Sequence, residues 1–304
     1  MTTPSGNTKG ALHTLLAVFY IFLWASAFVP SRVVSTTAPP LWILAFRFTL
    51  AGALLLGGAL AAGLKLPREP RTWGRLALLG LTANAGYLGL TYLALRHLSS
   101  GMGAILASTN PLLLALAAPR LLGEPLTRRK LLGMVLGVSG VVITMAARAG
   151  LQTARPQDVA LAIGGVVSLT ASTILYKRLD PRAKPHPLVV NGAQLSCAGL
   201  ILVPAAFAIH GAPQVVLSAQ IAVAFAYLVV VMSIGASLLW FWLLSHGDAS
   251  RVSAWYFLTP VFGLLLGAAL LGESLAPLDG VGLVVIAAGL LLVTREEPRP
   301  ERAG

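Results

Sequence analysis

Residues 111–126, PLLLALAAPRLLGEPL, and residues 260–275, PVFGLLLGAALLGESL, share one skeleton, a proline followed 13 positions later by the glutamate of a Gly-Glu-x-Leu end. Pro111, Gly123, Glu124 and Leu126 thus recur as Pro260, Gly272, Glu273 and Leu275, at an offset of 149. The same offset pairs Leu95 with Leu244, His97 with His246, Gly133 with Gly282 and Gly140 with Gly289. Upstream it falls to 147, where Arg47, Ala51 and Gly52 match Gln194, Ala198 and Gly199. It falls again to 146, where Ala25, Ser26 and Arg32 match Ala171, Ser172 and Arg178. Chance identities do not stay colinear over such a length, so the chain reads as two fused copies of one unit, with function expected between the halves.

Composition fixes the solvent. With 57% apolar residues, 11% charged residues and a mean hydropathy of +0.82, the chain cannot present a water-facing surface of ordinary charge density. Apolar runs cover 11–31, 40–63, 74–95, 99–119, 129–147, 157–176, 187–209, 218–244, 249–271 and 277–294. Each is near the ~20 residues that span a bilayer as helix. Alternating barrel strands are absent, so the expectation is an all-α membrane protein of ten transmembrane helices, five per repeat. The organisation read from this is a tail at 1–10, a first repeat at 11–147, a linker at 148–156, a second repeat at 157–294 and a tail at 295–304.

The net charge of +12 invites a nucleic-acid reading, which the placement of the basic residues removes. With the N-terminus inside, 17 Lys and Arg lie on the cytoplasmic side, and only Arg32, Arg96, Arg148 and Arg155 lie outside. The excess is a topology signal, placing both termini in the cytoplasm of a cell whose inner membrane holds the chain. Five helices per copy start the first copy inside and the second outside, so the repeats are inverted. Lys9, the apolar run after it and Ala25-Ser26-Ala27 imitate a signal peptide, but the match of that segment to helix six makes it a structural part of the repeat. The tail 295–304, rich in Arg, Glu and Pro, cannot bury apolar area. One cysteine, Cys197, leaves no intrachain disulfide and no cysteine metal site.

Trp24-Ala25-Ser26-Ala27-Phe28 in helix one, Pro111 and Pro260 placed mid-helix, and Gly-Glu at the ends of helices four and nine resemble the drug/metabolite transporter superfamily, in its EamA-type ten-helix branch. The resemblance covers residues 11–294. It implies movement of small metabolites, commonly the export of amino acids, and no cofactor.

The residues read alone are consistent with a permeation path. Asn84, Tyr87 and Thr91 fall at i, i+3 and i+7 on helix three, and Ser233, Ser237 and Trp240 share a face of helix eight. Ser108, Thr109 and Asn110 precede Pro111, as Trp255, Tyr256 and Thr259 precede Pro260. A proline within a span frees a carbonyl one turn upstream, so both prolines are read as hinges. Trp24, Tyr87, Trp240 and Tyr256 share faces with polar residues and are assigned to a substrate cavity with Asn84, Thr91, Ser108, Asn110 and Ser237. Single Ser and Thr residues in spans also bond their own backbone or join helices. Trp42, Trp73 and Tyr20 fit an aromatic belt at the interfaces.

Arg47 is the one basic residue well inside a span, a burial worth ~2.5–3.5 kcal/mol on insertion scales, so it is either a pathway charge or a snorkelling side chain. Glu124 and Glu273 sit at helix ends and read as capping or loop-pairing groups. No acid lies mid-span, and helix one lacks the central glutamate of small multidrug exporters, so proton antiport through a buried carboxylate is not supported. His97 and His246 lie at opposite faces and cannot share a metal. Gly133, Gly137 and Gly140, with Gly280, Gly282 and Gly289, allow helices five and ten to pack closely as scaffold or as a homodimer face.

A membrane-embedded protease would need paired aspartates, a His-Glu-x-x-His helix or a Ser with a His in reach; the first two are missing, and Ser237 and His246, nine residues apart with the His at the membrane edge, have poor triad geometry. A channel would want a charged ring or a carbonyl filter. What remains is an alternating-access carrier walled by helices one, three, four, six, eight and nine, with support from two and seven. Its aromatic and amide lining without carboxylates suits a zwitterion such as an amino acid, or a neutral solute or drug, better than a lone cation.

Overall fold

Proline stands at the first or second residue of six of the helices. It costs nothing there, because the N–H it lacks has no intrahelical acceptor in the first turn. In the computed structural model these starts fall at Pro40, Pro70, Pro111, Pro156, Pro187 and Pro277. The structure describes residues 5–27, 30, 31, 34, 38–94, 97, 98, 106–146, 155–179, 185–213, 218–271 and 277–294. Among them the chain is helical, with no strand.

Among the described residues ten longer helical segments follow in order. They are α1 (Ser5–Ser26), α2 (Pro40–Ala61), α3 (Pro70–Ala94), α4 (Asn110–Leu121), α5 (Arg128–Ala146), α6 (Pro156–Lys177), α7 (Pro187–His210), α8 (Ala219–His246), α9 (249–271) and α10 (Pro277–Thr294). Six of these, α2, α3, α6, α7, α8 and α10, are long and apolar enough to cross a membrane, and Ala11–Ser26 is a shorter apolar helix. Leu200, Phe207, Val223 and Val284 are each 60% or more exposed, which fits helices facing lipid. Glu273, Arg32, Arg96, Arg148, Phe28, most of the linker 148–156 and the tail 295–304 lie outside the described residues.

The two repeats meet along matched pairs of helices. Where α2 crosses α7, a Cβ on Gly52 would lie 2.5 Å from Ser196 N, and one on Gly199 would lie 2.6 Å from Thr49 N. At the offset of 147 these are the same contact seen from the two copies. α5 and α10 repeat the arrangement, with Gly133 against the Gly289 carbonyl and Gly140 against that of Gly282. Reciprocal contacts of this kind are what a two-fold relation between copies produces. Gly133 and Gly140 of α5 and Gly282 and Gly289 of α10 are therefore packed against each other within one chain, whereas Gly280 has open space around it.

Regular α-helix is interrupted at equivalent places. Leu81–Gly86 in α3 and Leu228–Ala236 in α8 bond in the wider i→i+5 pattern, and both begin at the same position of the repeat. The prolines expected mid-helix instead restart helices. Pro111 follows a turn at Ser108 and Thr109, and Pro260 follows the 3-10 segment Trp255–Leu258. Both occupy the second residue of an α segment, where a missing donor breaks no bond.

Candidate functional site

Between the repeats, where the two wide segments face inward, lies a cavity of about 70 Å³. That is room for roughly five waters. Seven helices reach it. α1 supplies Tyr20 and Trp24, α2 Arg47, α3 Asn84 and Tyr87, and α6 Ser172, Thr173 and Tyr176. α7 supplies Gln194, α8 Ser233, Ser237 and Trp240, and α9 Tyr256. Helices two and seven, expected to be supports, thus contribute two of the most polar side chains, whereas no described residue of helix four lines it.

One wall is aromatic. Tyr20 stacks on Trp240 with centroids 5.2 Å apart, Trp24 stacks on Tyr87 at 6.3 Å, and Tyr256 meets Tyr20, Trp24 and Trp240 at 5.9, 5.6 and 5.2 Å. The Tyr20 and Tyr256 hydroxyls hydrogen-bond at 2.6 Å. Each such pair contributes about 0.5–1.5 kcal/mol beyond area burial. Tyr20 is therefore a core of this cluster, 2% exposed, and no part of an interfacial belt. Its position one helical turn before Trp24 puts both on one face, a signal the sequence carried. Trp42 and Trp73 do sit at helix ends, donating to the Gly211 and Pro67 carbonyls at 2.9 Å.

The lining also includes Arg47, Ser233 and Gln194, which a polar chain ties together through Asn191 behind them. Arg47 Nε donates to Ser233 Oγ at 2.7 Å, Asn191 Nδ2 donates to the Ser233 carbonyl at 3.2 Å, and Gln194 Nε2 donates to Asn191 Oδ1 at 2.8 Å. The i→i+5 stretch that holds Ser233 leaves its carbonyl for a side chain from another helix, which explains why Asn191 is there. Arg47 is 7% exposed and does not snorkel. Asn84 Nδ2 and Gln194 Oε1, on residues 9% and 2% exposed, have no hydrogen-bond partner among the described residues.

Three of the sequence-assigned residues lie elsewhere. Thr91 faces Gly165 of α6, because the wide turn at 81–86 shifts the phase of α3 between Asn84 and Thr91. Asn110 joins α4 to α6, its Oδ1 accepting from Thr170 Oγ1 at 2.9 Å. Ser108 is buried away from the cavity. The cavity residues missed were Tyr20, Ser172, Thr173, Tyr176 and Gln194, of which Gln194 was visible as the repeat partner of Arg47.

At one end of the bundle the copies are laced together by polar groups. Glu124 Oε1 accepts from Ala249 N at 2.7 Å, and Oε2 accepts from Ser250 N at 3.1 Å and Ser250 Oγ at 2.8 Å. Asp248, by position the cap of α9, makes no side-chain capping bond and lies 3.8 Å from Lys130 and 3.5 Å from Arg251. A glutamate of the first repeat thus caps a helix of the second. Lys177 Nζ donates to the Gly247 carbonyl and Arg178 Nε to that of Leu121, closing the same end.

A helical bundle of two matched repeats enclosing a polar and aromatic cavity at its centre has the build of a membrane transporter. The chain belongs to the EamA-like transporter family, which it matches over residues 11–146 and 158–295. It is 27% identical to the uncharacterized inner membrane transporter YedA of Escherichia coli K12 over 280 residues, 91% of this chain and 89% of that one. It is 26% identical to the uncharacterized transporter YvbV of Bacillus subtilis, covering 95% and 93% of the two chains. PecM of Dickeya dadantii is 29% identical across 80% of this chain and 81% of its own length. A solved crystal structure at 20% identity shares the fold, with a TM-score of 0.77 over 93% of this chain and 97% of that one.

Proposed function

We propose that the protein is an alternating-access carrier that exports small amphipathic metabolites, amino acids foremost, across a bacterial inner membrane. The carrying observation is the cavity itself. It brings a cluster of aromatic rings together with unsatisfied amide atoms and Arg47 between the repeats, with no carboxylate among the described lining residues. A zwitterion offers both sets of groups something to bind, since rings attract an ammonium and amides pair with either charge. Trp24, Asn84, Tyr87, Ser237, Trp240 and Tyr256 are the proposed substrate contacts. Pro111 and Pro260 are the proposed hinges, since each begins a helical segment after a break beside the bundle centre. The Glu124 end, laced by its three hydrogen bonds, is then the proposed cytoplasmic gate.

The test is a growth-rescue screen, in which cells expressing the chain are challenged with toxic concentrations of single amino acids. Rescue by one or a few of them, with saturable flux in proteoliposomes, is the expected result. Rescue only against lipophilic cations or neutral drugs would favour drug export instead. Orientation is checked by Pro67→Cys and Pro213→Cys in a Cys197→Ser background, expected to label from the cytoplasmic and outer sides respectively. Labelling of both from one side would overturn the inverted topology.

A further inference from the structure

Arg47 is a buried cation without an anion. Its Nε bond to Ser233 is its one side-chain hydrogen bond among the described residues, and its guanidinium carbon lies 5.4 Å from the Phe48 ring centroid. A guanidinium carries five N–H donors, so a structural arginine at this depth would spend them on protein carbonyls or a carboxylate. Here one is spent. The described acids all lie at helix ends: Glu69 caps α3 by position, Asp158 and Asp279 are in first turns, and Glu124 and Asp248 meet at the laced end. No carboxylate among the described residues pairs with Arg47. The remaining acids, Asp180, Glu273, Glu296, Glu297 and Glu301, fall between or beyond the apolar runs of the sequence. Repeat symmetry does not require the charge either, because the matching position holds Gln194.

The Ser233 bond fixes one edge of the guanidinium and leaves its terminal nitrogens, the pair that grips a carboxylate with two parallel bonds. Lining the same cavity is Asn84 Nδ2, a buried donor without an acceptor. An acceptor-rich anion with two oxygens satisfies both groups at once. No second cation stands among the described lining residues, so one negative charge is balanced and a second is not.

We infer that Arg47 is the carboxylate anchor of this cavity and that the cargo is a monocarboxylate whose apolar body lies against the Tyr20, Trp24, Tyr87 and Trp240 rings. This rests on the transporter reading and narrows it. A free carboxylate becomes obligatory, and the Gln194 Oε1 acceptor is left for a donor such as an ammonium on the cargo.

The experiment is equilibrium binding to the purified full chain in detergent, followed through intrinsic fluorescence, since Trp24 and Trp240 line the cavity. Four probes share one ring: L-phenylalanine, 3-phenylpropionate, L-phenylalaninamide and phenethylamine. The two carboxylates should bind at least about tenfold more tightly than the amide and the amine, the scale of one charge-assisted contact. Arg47→Gln should bring that ratio close to one with an undiminished melting temperature, because an unpaired buried charge has been removed. Arg47→Lys, which keeps the charge and loses the fork, should retain an intermediate preference. Should Arg47→Gln fail to fold, Ser233→Ala carries the test, with carboxylate binding expected to fall severalfold and amine binding to stay. An undiminished preference in folded Arg47→Gln, equal binding of acid and amide to the wild type, or no binding by either carboxylate overturns the anchor. Equal binding of phenylalanine and 3-phenylpropionate keeps the anchor and sinks the amino-acid reading, because the ammonium then contributes nothing.

Discussion

Arg47 and Gln194 occupy the same position of the two repeats, and both are buried against one cavity, yet one carries a charge and the other cannot. The helices that bear them cross through reciprocal glycines, Gly52 and Gly199, with nearly identical backbone approaches. Symmetry has therefore been kept where backbones touch and dropped where a ligand would sit. Packing between copies constrains both halves alike, because any bulge in one is met by the same bulge in the other. Recognition carries no such constraint, since an asymmetric solute needs different groups at its two ends.

The sharpest way to break the symmetric part is to fill its crossing. A Cβ at Gly52 or Gly199 would fall within 2.6 Å of backbone nitrogen in the partner helix, so neither Gly52→Leu nor Gly199→Leu has anywhere to go. Each should cost at least about 3 kcal/mol and abolish the monodisperse gel-filtration peak. Gly57→Leu, with open space around it, should leave the peak intact. If both crossing variants fold as well as Gly57→Leu, the two-fold packing is misplaced.

Charge at the asymmetric position is the next largest effect. Gln194→Arg would put a second unpaired cation beside Arg47, costing about 2.5–3.5 kcal/mol by insertion scales and more through like-charge repulsion. Its melting temperature should fall well below that of the wild type. The double variant Arg47→Gln with Gln194→Arg should recover most of the loss, because it returns the cavity to one cation. No recovery would mean that the two positions are not electrostatically equivalent.

Glu124 sharpens the comparison at the other end of the bundle. Glu124→Gln keeps an acceptor but loses the charge that three donors share. The expected cost is about 1 kcal/mol, within the range of cap replacements. A cysteine at Gly247 should become more reactive to polar maleimide in this background if the lacing holds the end closed. Smallest in stability are Pro111→Ala and Pro260→Ala, at under about 1 kcal/mol, since neither proline breaks a bond where it stands. Their effect should appear in transport rate with binding preserved. Wild-type flux in both would make the prolines helix starts and nothing more.

The repeats and the helices were legible because hydrophobicity and colinear identities survive without coordinates. Trp24, Asn84, Tyr87, Ser237, Trp240 and Tyr256 were readable as lining because mid-span polar and aromatic residues have few other places to point, while sequence left Arg47 open between pathway and snorkel. Thr91 was misplaced by assuming 3.6 residues per turn through 81–86, where the helix widens. No composition signal marks that segment. Asn110 was assigned to the cavity because polar groups just before a proline meet freed backbone at mid-membrane depth, whereas its Oδ1 turns to Thr170 of α6 and its Nδ2 has no partner among the described residues. Glu124 read correctly as a capping group, but its partner belongs to the other repeat, and only the folded chain brings residues 124 and 249 together.

The central claim is that solute binds between the repeats, in the Asn84, Tyr87 and Trp240 cavity. Counterflow of labelled phenylalanine and alanine in proteoliposomes tests it most directly, comparing wild type with Asn84→Ala and Trp240→Ala. Wild-type vesicles should exchange both solutes saturably, Asn84→Ala should lose both, and Trp240→Ala should lose phenylalanine far more than alanine, because the ring contacts the cargo body and the amide its shared zwitterion. Unchanged exchange of both solutes in both variants would contradict the claim and place the binding site elsewhere.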